Sequence, residues 1–157
     1  MTYQRNPILL ENIDLLRQSF RYAKSKFEFE IEAIVVLPDH FHTILLPKEA
    51  KNYPKIISSI KRYFSQRCDP KFYRGFLHSH SREKQGYKPV WQKRFFEHTL
   101  RNEKDWKIHF DYIHYNPVKH GYVDCAEDWR YSSFGKYVRE GIYDAQWCDF
   151  SEKLDLE

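Results

Sequence analysis

Cysteine is scarce in this 157-residue chain, and the three cysteines that occur show no pairing pattern. Cys68, Cys125 and Cys148 are odd in number, lie far apart and form no C-x-x-C motif. This distribution predicts neither a disulfide framework nor a thiolate zinc site. It is typical of a protein in a reducing compartment, and we expect a cytoplasmic location.

Long apolar runs are also lacking. No apolar stretch follows a basic N-terminal start, and none approaches the roughly 20 apolar residues of a membrane-spanning helix. Hydrophobic residues make up 41% of the chain and charged residues 31%, a balance typical of a globular protein. We therefore expect no membrane partner and a single domain over residues 1–157, with residues 121–157 as a C-terminal extension.

Positive charge is in modest excess, with 26 Lys+Arg against 22 Asp+Glu and a net charge of +4. It is concentrated in residues 67–94, where eight basic residues stand against two acidic ones and aromatic residues are interleaved. Basic side chains bind phosphates and aromatic rings stack on unpaired bases, so the segment predicts DNA contact. A solvated loop would have the same composition. The basic residues are Arg67, Lys71, Arg74, Arg82, Lys84, Lys88, Lys93 and Arg94.

Apolar periodicity predicts an α+β fold. The predicted helices cover residues 8–24, 53–67 and 102–116, the last with Asn102 as N-cap and an end before Pro117. The predicted strands cover residues 27–37, 40–46 and 90–100. This order fits a ferredoxin-like antiparallel sheet with helices on one face, if a first strand precedes the first helix. Only residues 2–5 remain for that strand, so we expect it to be truncated.

The sharpest local feature is the sequence His40-Phe41-His42. Side chains alternate faces along a strand, so both imidazoles would point the same way and Phe41 the other way. Their Cα atoms would lie about 6.5 to 7 Å apart, close enough to bind one ion. Two surface histidines on a strand give the same pattern, so the motif by itself leaves both interpretations open.

Tyr112 and Asn116 lie four residues apart on the last predicted helix and therefore share one face. Asn116 can lend a carbonyl oxygen to a hard cation, and Tyr112 would be a nucleophile beside that ion. Alternatively, Tyr112 packs in the core and Asn116 merely caps the helix. In combination with the two histidines, the pair favours a metal-assisted tyrosine nucleophile.

Four blocks of the sequence resemble the REP-associated tyrosine transposases, which are single-tyrosine transposases with a His-hydrophobic-His motif. The blocks are residues 38–42, 91–98, 112–121 and 128–133, and the resemblance extends over nearly the whole chain. The block 112–121 is quite specific, whereas the His-x-His element is not. The sequence departs from the family at its start, where members have a full first strand.

The resemblance implies that His40, His42 and Asn116 are ligands of Mg²⁺ or Mn²⁺ and that Tyr112 is the nucleophile. The two nitrogen ligands suit Mn²⁺, whereas Mg²⁺ prefers oxygen. Tyr115 is the competing nucleophile, and Tyr112 is preferred because it lies one turn from Asn116. Lys119, just past the predicted helix, is a further candidate for DNA contact.

The implied reaction cuts and rejoins single-stranded, hairpin-forming repeat DNA by transesterification through a 5′-phosphotyrosine intermediate. The implied assembly is a monomer or a homodimer. Two other functions remain open: a hairpin-binding protein derived from a transposase that no longer cuts, and a metal-dependent hydrolase in which water is the nucleophile. A covalent adduct between protein and DNA would distinguish the three.

Overall fold

Helices make up much of the part of the chain that the computed structural model describes, namely residues 1–76, 84 and 88–148. They include α1 (Ile13–Lys24), α2 (Tyr53–Arg67), α3 (Glu103–Lys119) and α4 (Phe134–Arg139). The strands β1 (Phe29–Val36) and β2 (Phe41–Pro47) pair in a two-stranded antiparallel sheet. The predicted α+β class is confirmed.

The contacts between residues cluster into two compact units. Unit 1 comprises Met1–Glu30, Leu37–His40 and Leu46–Phe96, and unit 2 comprises Ile31–Val36, Phe41–Leu45 and Glu97–Glu157, as far as these residues are described. Each unit buries apolar side chains of its own. Helices α1 and α2 lie in unit 1, and helices α3 and α4 lie in unit 2.

Unit 1 is built around the packing of α1 on α2. Leu16, Phe20 and Ala23 recur at helical spacing on one face of α1 and are buried. Helix α2 buries Ile56, Ile57, Ile60 and Phe64, and its observed bounds agree with the predicted ones. Burial of one such aliphatic or aromatic side chain contributes about 1.5 to 3 kcal/mol, so this contact stabilises the unit.

The first helix is shorter than the predicted residues 8–24. Residues 9–12 form turns, and the side chain of Asn12 donates a hydrogen bond to the carbonyl oxygen of Ile8 over 2.9 Å. Asparagine side chains compete in this way with regular helix bonds. Ile8 and Leu9 are nevertheless buried, so their apolar spacing reflects the core rather than a helix.

The predicted strand over residues 90–100 is wrong except for one isolated bridge, Thr2 to Trp91. The N–H of Gln92 donates to the carbonyl of Met1, and the N–H of Tyr3 donates to that of Val90. Pairing ends there because Gln4 and Arg5 both have left-handed backbones, with φ of 52° and 58°. Such a conformation costs about 1 to 3 kcal/mol for each non-glycine residue.

Unit 2 covers the central part of β1 with the chain that follows α3. Val35 forms an isolated bridge with Ser132, and the N–H of Val36 donates to the carbonyl of Tyr131 over 2.8 Å. Ala33, Val35 and Val36 are buried in consequence. The apolar end of this strand therefore lies where a neighbouring segment pairs with it.

Helix α3 begins as predicted but ends later. The side chain of Asn102 accepts a hydrogen bond from the N–H of Asp105 over 2.9 Å, which confirms the N-cap. The predicted end before Pro117 is wrong, because the helix continues to Lys119. Pro117 removes one N–H from the helix, but the last turn stays hydrogen-bonded, since the N–H of His120 donates to the carbonyl of Asn116 over 3.0 Å. Gly121, with φ of 69°, then ends the helix.

The expectation that no disulfide forms is also wrong. Cys125 and Cys148 are joined by a disulfide between positions 23 residues apart. The chain folds back after α4, and this return brings two cysteines together that no spacing rule connects. Cys68 is a buried free thiol, and burial raises its pKa to about 11. Within the described residues, no helix is both long and apolar enough to cross a membrane.

Candidate tyrosine nucleophile and metal ligands

Tyr112 lies in the middle of α3 and is 4% exposed. Its phenol oxygen accepts a hydrogen bond from Nζ of Lys119 over 3.0 Å, and the same ammonium lies 4.9 Å from the centre of the tyrosine ring. Seven residues make about two helical turns, which places both side chains on one face. The phenol is thus held in a fixed position beside a positive charge.

His42 contacts Tyr112 within unit 2. The two ring centres are 5.8 Å apart, and the rings meet edge to face at 82°. His42 is inside β2, which begins at Phe41, and its Nε2 atom is shielded from solvent. Strand and helix therefore bring one candidate ligand against the candidate nucleophile.

Asn116 stands one turn beyond Tyr112 and is fully buried. Within the described residues, neither its amide oxygen nor its amide nitrogen has a hydrogen-bond partner. A buried polar group without a partner costs about 1 to 3 kcal/mol, so its retention calls for an explanation. A hard cation would satisfy the amide oxygen, and Asn116 therefore fits the role of a metal ligand.

His40 belongs to unit 1 and immediately precedes β2 rather than lying in it, unlike the predicted strand over residues 40–46. It is 3% exposed, and its Nδ1 atom lies 2.6 Å from a carboxylate oxygen of Asp39. The other oxygen of Asp39 forms an ion pair with Arg5. No pattern in the sequence indicates a role for Arg5 or Asp39.

Tyr115, the competing nucleophile, has different surroundings. Its ring meets that of Trp147 at 5.8 Å, in the segment that follows α4. The ring that contacts His42 is that of Tyr112. This arrangement favours Tyr112 over Tyr115.

The basic residues singled out from the sequence are exposed wherever they are described. Arg82 lies outside the described residues. Three of these basic residues lie over aromatic rings of unit 1. The guanidinium of Arg67 is 3.8 Å from the ring centre of Tyr63, Nζ of Lys71 is 4.8 Å from that of Phe72, and Nζ of Lys88 is 5.9 Å from that of Tyr73. The exposed basic residues are Arg67, Lys71, Arg74, Lys84, Lys88, Lys93, Arg94 and Lys119.

Phe96 is the large apolar side chain with the greatest exposure among those described, at 77%. It follows Lys93 and Arg94 in the irregular segment after Trp91. An open ring beside two cations is suited to stacking on an unpaired base.

A second group, His98, Asp105 and His109, offers ligand atoms within 4.8 Å of one another. The signal in the sequence is the spacing of Asp105 and His109, four residues apart on α3. Asp105 already contacts His98 Nε2 at 3.0 Å and accepts from the N–H of Arg101, and the hydrogen bond with His98 lowers its pKa. The two imidazoles stack in parallel, 4.5 Å apart and tilted by 8°. One ion would not lie in both ring planes, so this group could bind a metal only after rearrangement.

Comparison with known proteins identifies the family of this chain. Residues 1–116, about three quarters of the chain, match the family "Transposase IS200 like". The chain belongs to the IS200-like transposases, in the branch of the REP-associated tyrosine transposases. The family resemblance inferred from the sequence is thereby confirmed.

Two relatives are similar over most of their length. A REP-associated tyrosine transposase of Escherichia coli is 37% identical over 153 residues, which are 94% of this chain and 82% of the relative. A candidate REP-associated tyrosine transposase of Haemophilus influenzae is 41% identical over 140 residues, or 88% and 78% of the two chains. A solved REP-associated tyrosine transposase, bound to a REP hairpin, has a TM-score of 0.77 and 33% identity, with coverage of 97% of this chain and 82% of that one.

Proposed function

We propose that this transposase cuts and rejoins single-stranded, hairpin-forming repeat DNA by transesterification through a 5′-phosphotyrosine intermediate on Tyr112. Family membership implies a DNA-cleaving enzyme. The observation that supports the mechanism is the buried phenol of Tyr112, which accepts a hydrogen bond from Lys119 and contacts the ring of His42.

The proposed step exchanges one phosphodiester bond for another. The phenol oxygen of Tyr112 forms a bond to phosphorus, and the bond from phosphorus to the 3′ oxygen of the preceding nucleotide breaks. The phenol loses its proton and the leaving oxygen gains one, which leaves a free 3′-hydroxyl and a 5′-phosphotyrosine. Attack by the 3′-hydroxyl of another strand reverses the step and transfers the DNA.

The side chains around Tyr112 have separate tasks in this step. Lys119 holds the phenol oxygen in place and puts a positive charge where the negative phosphate must approach. The ring contact with His42 restricts the rotation of Tyr112. Attack therefore begins from a fixed nucleophile, which reduces the entropic part of the barrier.

The proposed metal ligands are His40, His42 and Asn116, and the proposed ion is Mg²⁺ or Mn²⁺. The buried amide of Asn116 supports this assignment. A bound ion would supply Lewis-acid charge that polarises the phosphate. Two imidazoles and one amide oxygen favour Mn²⁺, while Mg²⁺ is the choice of an oxygen-rich site.

We propose DNA as the partner because of the similarity to the hairpin-bound transposase. The phosphates would be contacted by the exposed basic residues of the segment 67–94, by Arg82 and by Lys119. The chain would work in the cytoplasm as a single catalytic domain, with residues 121–157 as its C-terminal extension, and as a monomer or a homodimer.

The decisive experiment looks for a covalent adduct. The protein is incubated with a single-stranded hairpin oligonucleotide and Mn²⁺ or Mg²⁺, and the products are separated on a denaturing gel. We expect an adduct that Tyr112→Phe abolishes and that Tyr115→Phe, the matched control three residues further along α3, retains. Loss of the adduct in Tyr115→Phe alone would reverse the assignment of the nucleophile.

Two other outcomes would replace the proposal. Cleavage without an adduct would indicate a hydrolase in which water is the nucleophile. Tight hairpin binding without cleavage, in the presence of either ion, would indicate a DNA-binding protein that no longer cuts.

A further inference from the structure

Asp39 lies between a positive charge and the imidazole of His40, all within unit 1. One oxygen of its carboxylate is 2.6 Å from Nδ1 of His40, and the other pairs with Nε of Arg5. The side chains of Asp39 and His40 are 8% and 4% exposed, whereas that of Arg5 is 51% exposed. The side chains of Asp39 and His40 are therefore almost completely shielded from water.

The contact defines which nitrogen of His40 carries the proton. A carboxylate oxygen only accepts hydrogen bonds, so Nδ1 of His40 must be the donor. A neutral imidazole that carries its proton on Nδ1 has an unprotonated Nε2, which keeps its lone pair. Nε2 is also the nitrogen that is shielded from solvent.

The backbone around Asp39 is fixed by several further bonds of unit 1. The carbonyl of Asp39 accepts from the N–H of Thr2 over 2.7 Å, and the N–H of Leu37 donates to the carbonyl of His40 over 2.8 Å. The hydroxyl of Thr2 in turn donates to the carbonyl of Asn6 over 2.8 Å. The N-terminal residues and the turn before β2 thus form one hydrogen-bonded assembly.

Arg5 reaches Asp39 from a strained backbone. Gln4 and Arg5 are the two non-glycine residues with positive φ in the described part of the chain, and they are consecutive. Strain of this kind persists where the surrounding contacts over-determine the conformation, and it concentrates at functional sites. Here the strained turn delivers the guanidinium to the carboxylate that contacts His40.

We propose that Asp39, held by Arg5, is a positioning residue that sets the tautomer and orientation of His40 so that Nε2 is available to a divalent cation. The proposal rests on the function proposed above, in which His40 is a ligand. It adds two residues, Asp39 and Arg5, that act through His40. Carboxylates that hold a metal-binding histidine in this way affect metal affinity by about 10- to 100-fold.

The first test measures Mn²⁺ binding by electron paramagnetic resonance in the DNA-free protein. We expect Asp39→Ala to weaken binding about 10- to 100-fold, and Asp39→Asn and Arg5→Gln to weaken it less. Asparagine keeps an oxygen that accepts from Nδ1, so it tests the contact where the alanine variant fails to fold. The matched control is Asp14→Asn, which breaks the exposed ion pair of Asp14 with Arg17, 3.0 Å long.

The second test reads the tautomer of His40 directly from its ring nitrogen shifts by NMR, without metal. The wild-type protein should show a proton on Nδ1 and none on Nε2, and Asp39→Ala should show a mixture. This readout separates the two proposals: a wild-type protein that binds no Mn²⁺ contradicts the proposed ligands, whereas an unchanged tautomer in Asp39→Ala overturns the role of Asp39. Mn²⁺ affinity of folded Asp39→Ala within twofold of the wild type would overturn it as well.

Discussion

Lys119 reaches back two turns along α3 and donates a hydrogen bond from Nζ to the phenol oxygen of Tyr112 over 3.0 Å. The lysine is exposed while the tyrosine is buried, so the charge lies at the surface where a phosphate can approach. A donor aimed at the atom that reacts stabilises the charge that develops there. We therefore propose that Lys119 acts in the proposed step itself, beyond general attraction of DNA.

The first prediction concerns Lys119→Met, which keeps the length of the side chain and removes its charge. We expect the rate of adduct formation to fall about 100-fold, as for the loss of one preorganised donor. Hairpin binding should weaken far less, because one phosphate contact among many is lost. The measurement is the single-turnover rate of adduct formation at saturating DNA.

Lys136 provides a matched control for this variant. Its Nζ lies 4.8 Å from the ring centre of Tyr137, almost the same arrangement as Lys119 over Tyr112 at 4.9 Å. Lys136→Met should therefore leave the rate of adduct formation unchanged. Equal rates for Lys119→Met and the wild type would contradict the role of Lys119.

The second prediction concerns the buried amide of Asn116. Replacement by leucine, which has a similar volume, removes two polar atoms that lack partners in the described structure. We expect Asn116→Leu to raise the free energy of unfolding of the metal-free protein by about 1 to 2 kcal/mol, and to abolish Mn²⁺ binding. Urea unfolding in the presence of a chelator, together with a Mn²⁺ titration, measures both effects.

Asn6→Leu is the control for the stability effect. Asn6 is equally a buried asparagine, but its amide donates to the carbonyl of Phe72 over 2.6 Å. This replacement should lower the free energy of unfolding by about 1 to 3 kcal/mol, because the carbonyl of Phe72 loses its donor. If both variants were destabilised alike, the amide of Asn116 would have an important structural role.

The periodic elements could be predicted from the sequence, and the irregular ones could not. The bounds of α2 and the N-cap at Asn102 follow from local spacing and capping chemistry. The segment after Trp91 has the composition of a strand, but its pairing partner turns away at Gln4. Strand formation depends on a partner distant in sequence, and so local composition misleads.

The contacts of the candidate site likewise fall into those that the sequence predicts and those that it does not. Tyr112 and Asn116 could be paired because four residues on a helix define one face. The contacts of Asp39 with Arg5 and of Tyr112 with His42 join residues more than 30 positions apart, as does the cover that Tyr131 and Ser132 provide for β1. The disulfide between Cys125 and Cys148 joins positions 23 residues apart, and it likewise depends on the path of the chain after α3.

The third prediction concerns Phe96, whose ring is 77% exposed. If this ring stacks on an unpaired base, Phe96→Ser should weaken the binding of a hairpin with a single-stranded tail by about tenfold. Binding of a blunt hairpin should be unchanged. Leu46→Ser, at a leucine that is 54% exposed, is the control for the loss of an open apolar side chain. Fluorescence anisotropy with both DNAs measures the difference.

The fourth prediction concerns the salt dependence of DNA binding. Lys93→Gln with Arg94→Gln removes two exposed charges, and we expect the slope of log K against log salt to become shallower by about 1.4 for single-stranded DNA. Lys48→Gln with Lys51→Gln is the control, since these lysines already pair with Glu28 and Glu49. Equal slopes for the two double variants would indicate that Lys93 and Arg94 do not contact the DNA.

The fifth prediction concerns His114, which is fully buried on α3, with Nε2 2.8 Å from the hydroxyl oxygen of Ser133. Burial lowers its pKa to about 4 from the usual 6.5, against smaller raising effects of a backbone bond to Phe110 and the charge of Asp111. The unfolded chain therefore binds the proton first as the pH falls. The stabilising contribution of neutral His114 is complete above pH 6.5 and is lost progressively as the pH falls towards 4.

The free energy of unfolding lost in this way is on the order of 3 kcal/mol, because each unit by which the pKa of His114 is lowered corresponds to about 1.4 kcal/mol. Urea unfolding at a series of pH values between 7 and 4 measures it. His114→Gln retains a polar side chain that does not titrate, so its free energy of unfolding should be lower at pH 7 but should fall less steeply between pH 6.5 and 4. Parallel curves for the variant and the wild type would show that another group, and not the buried imidazole, controls acid stability.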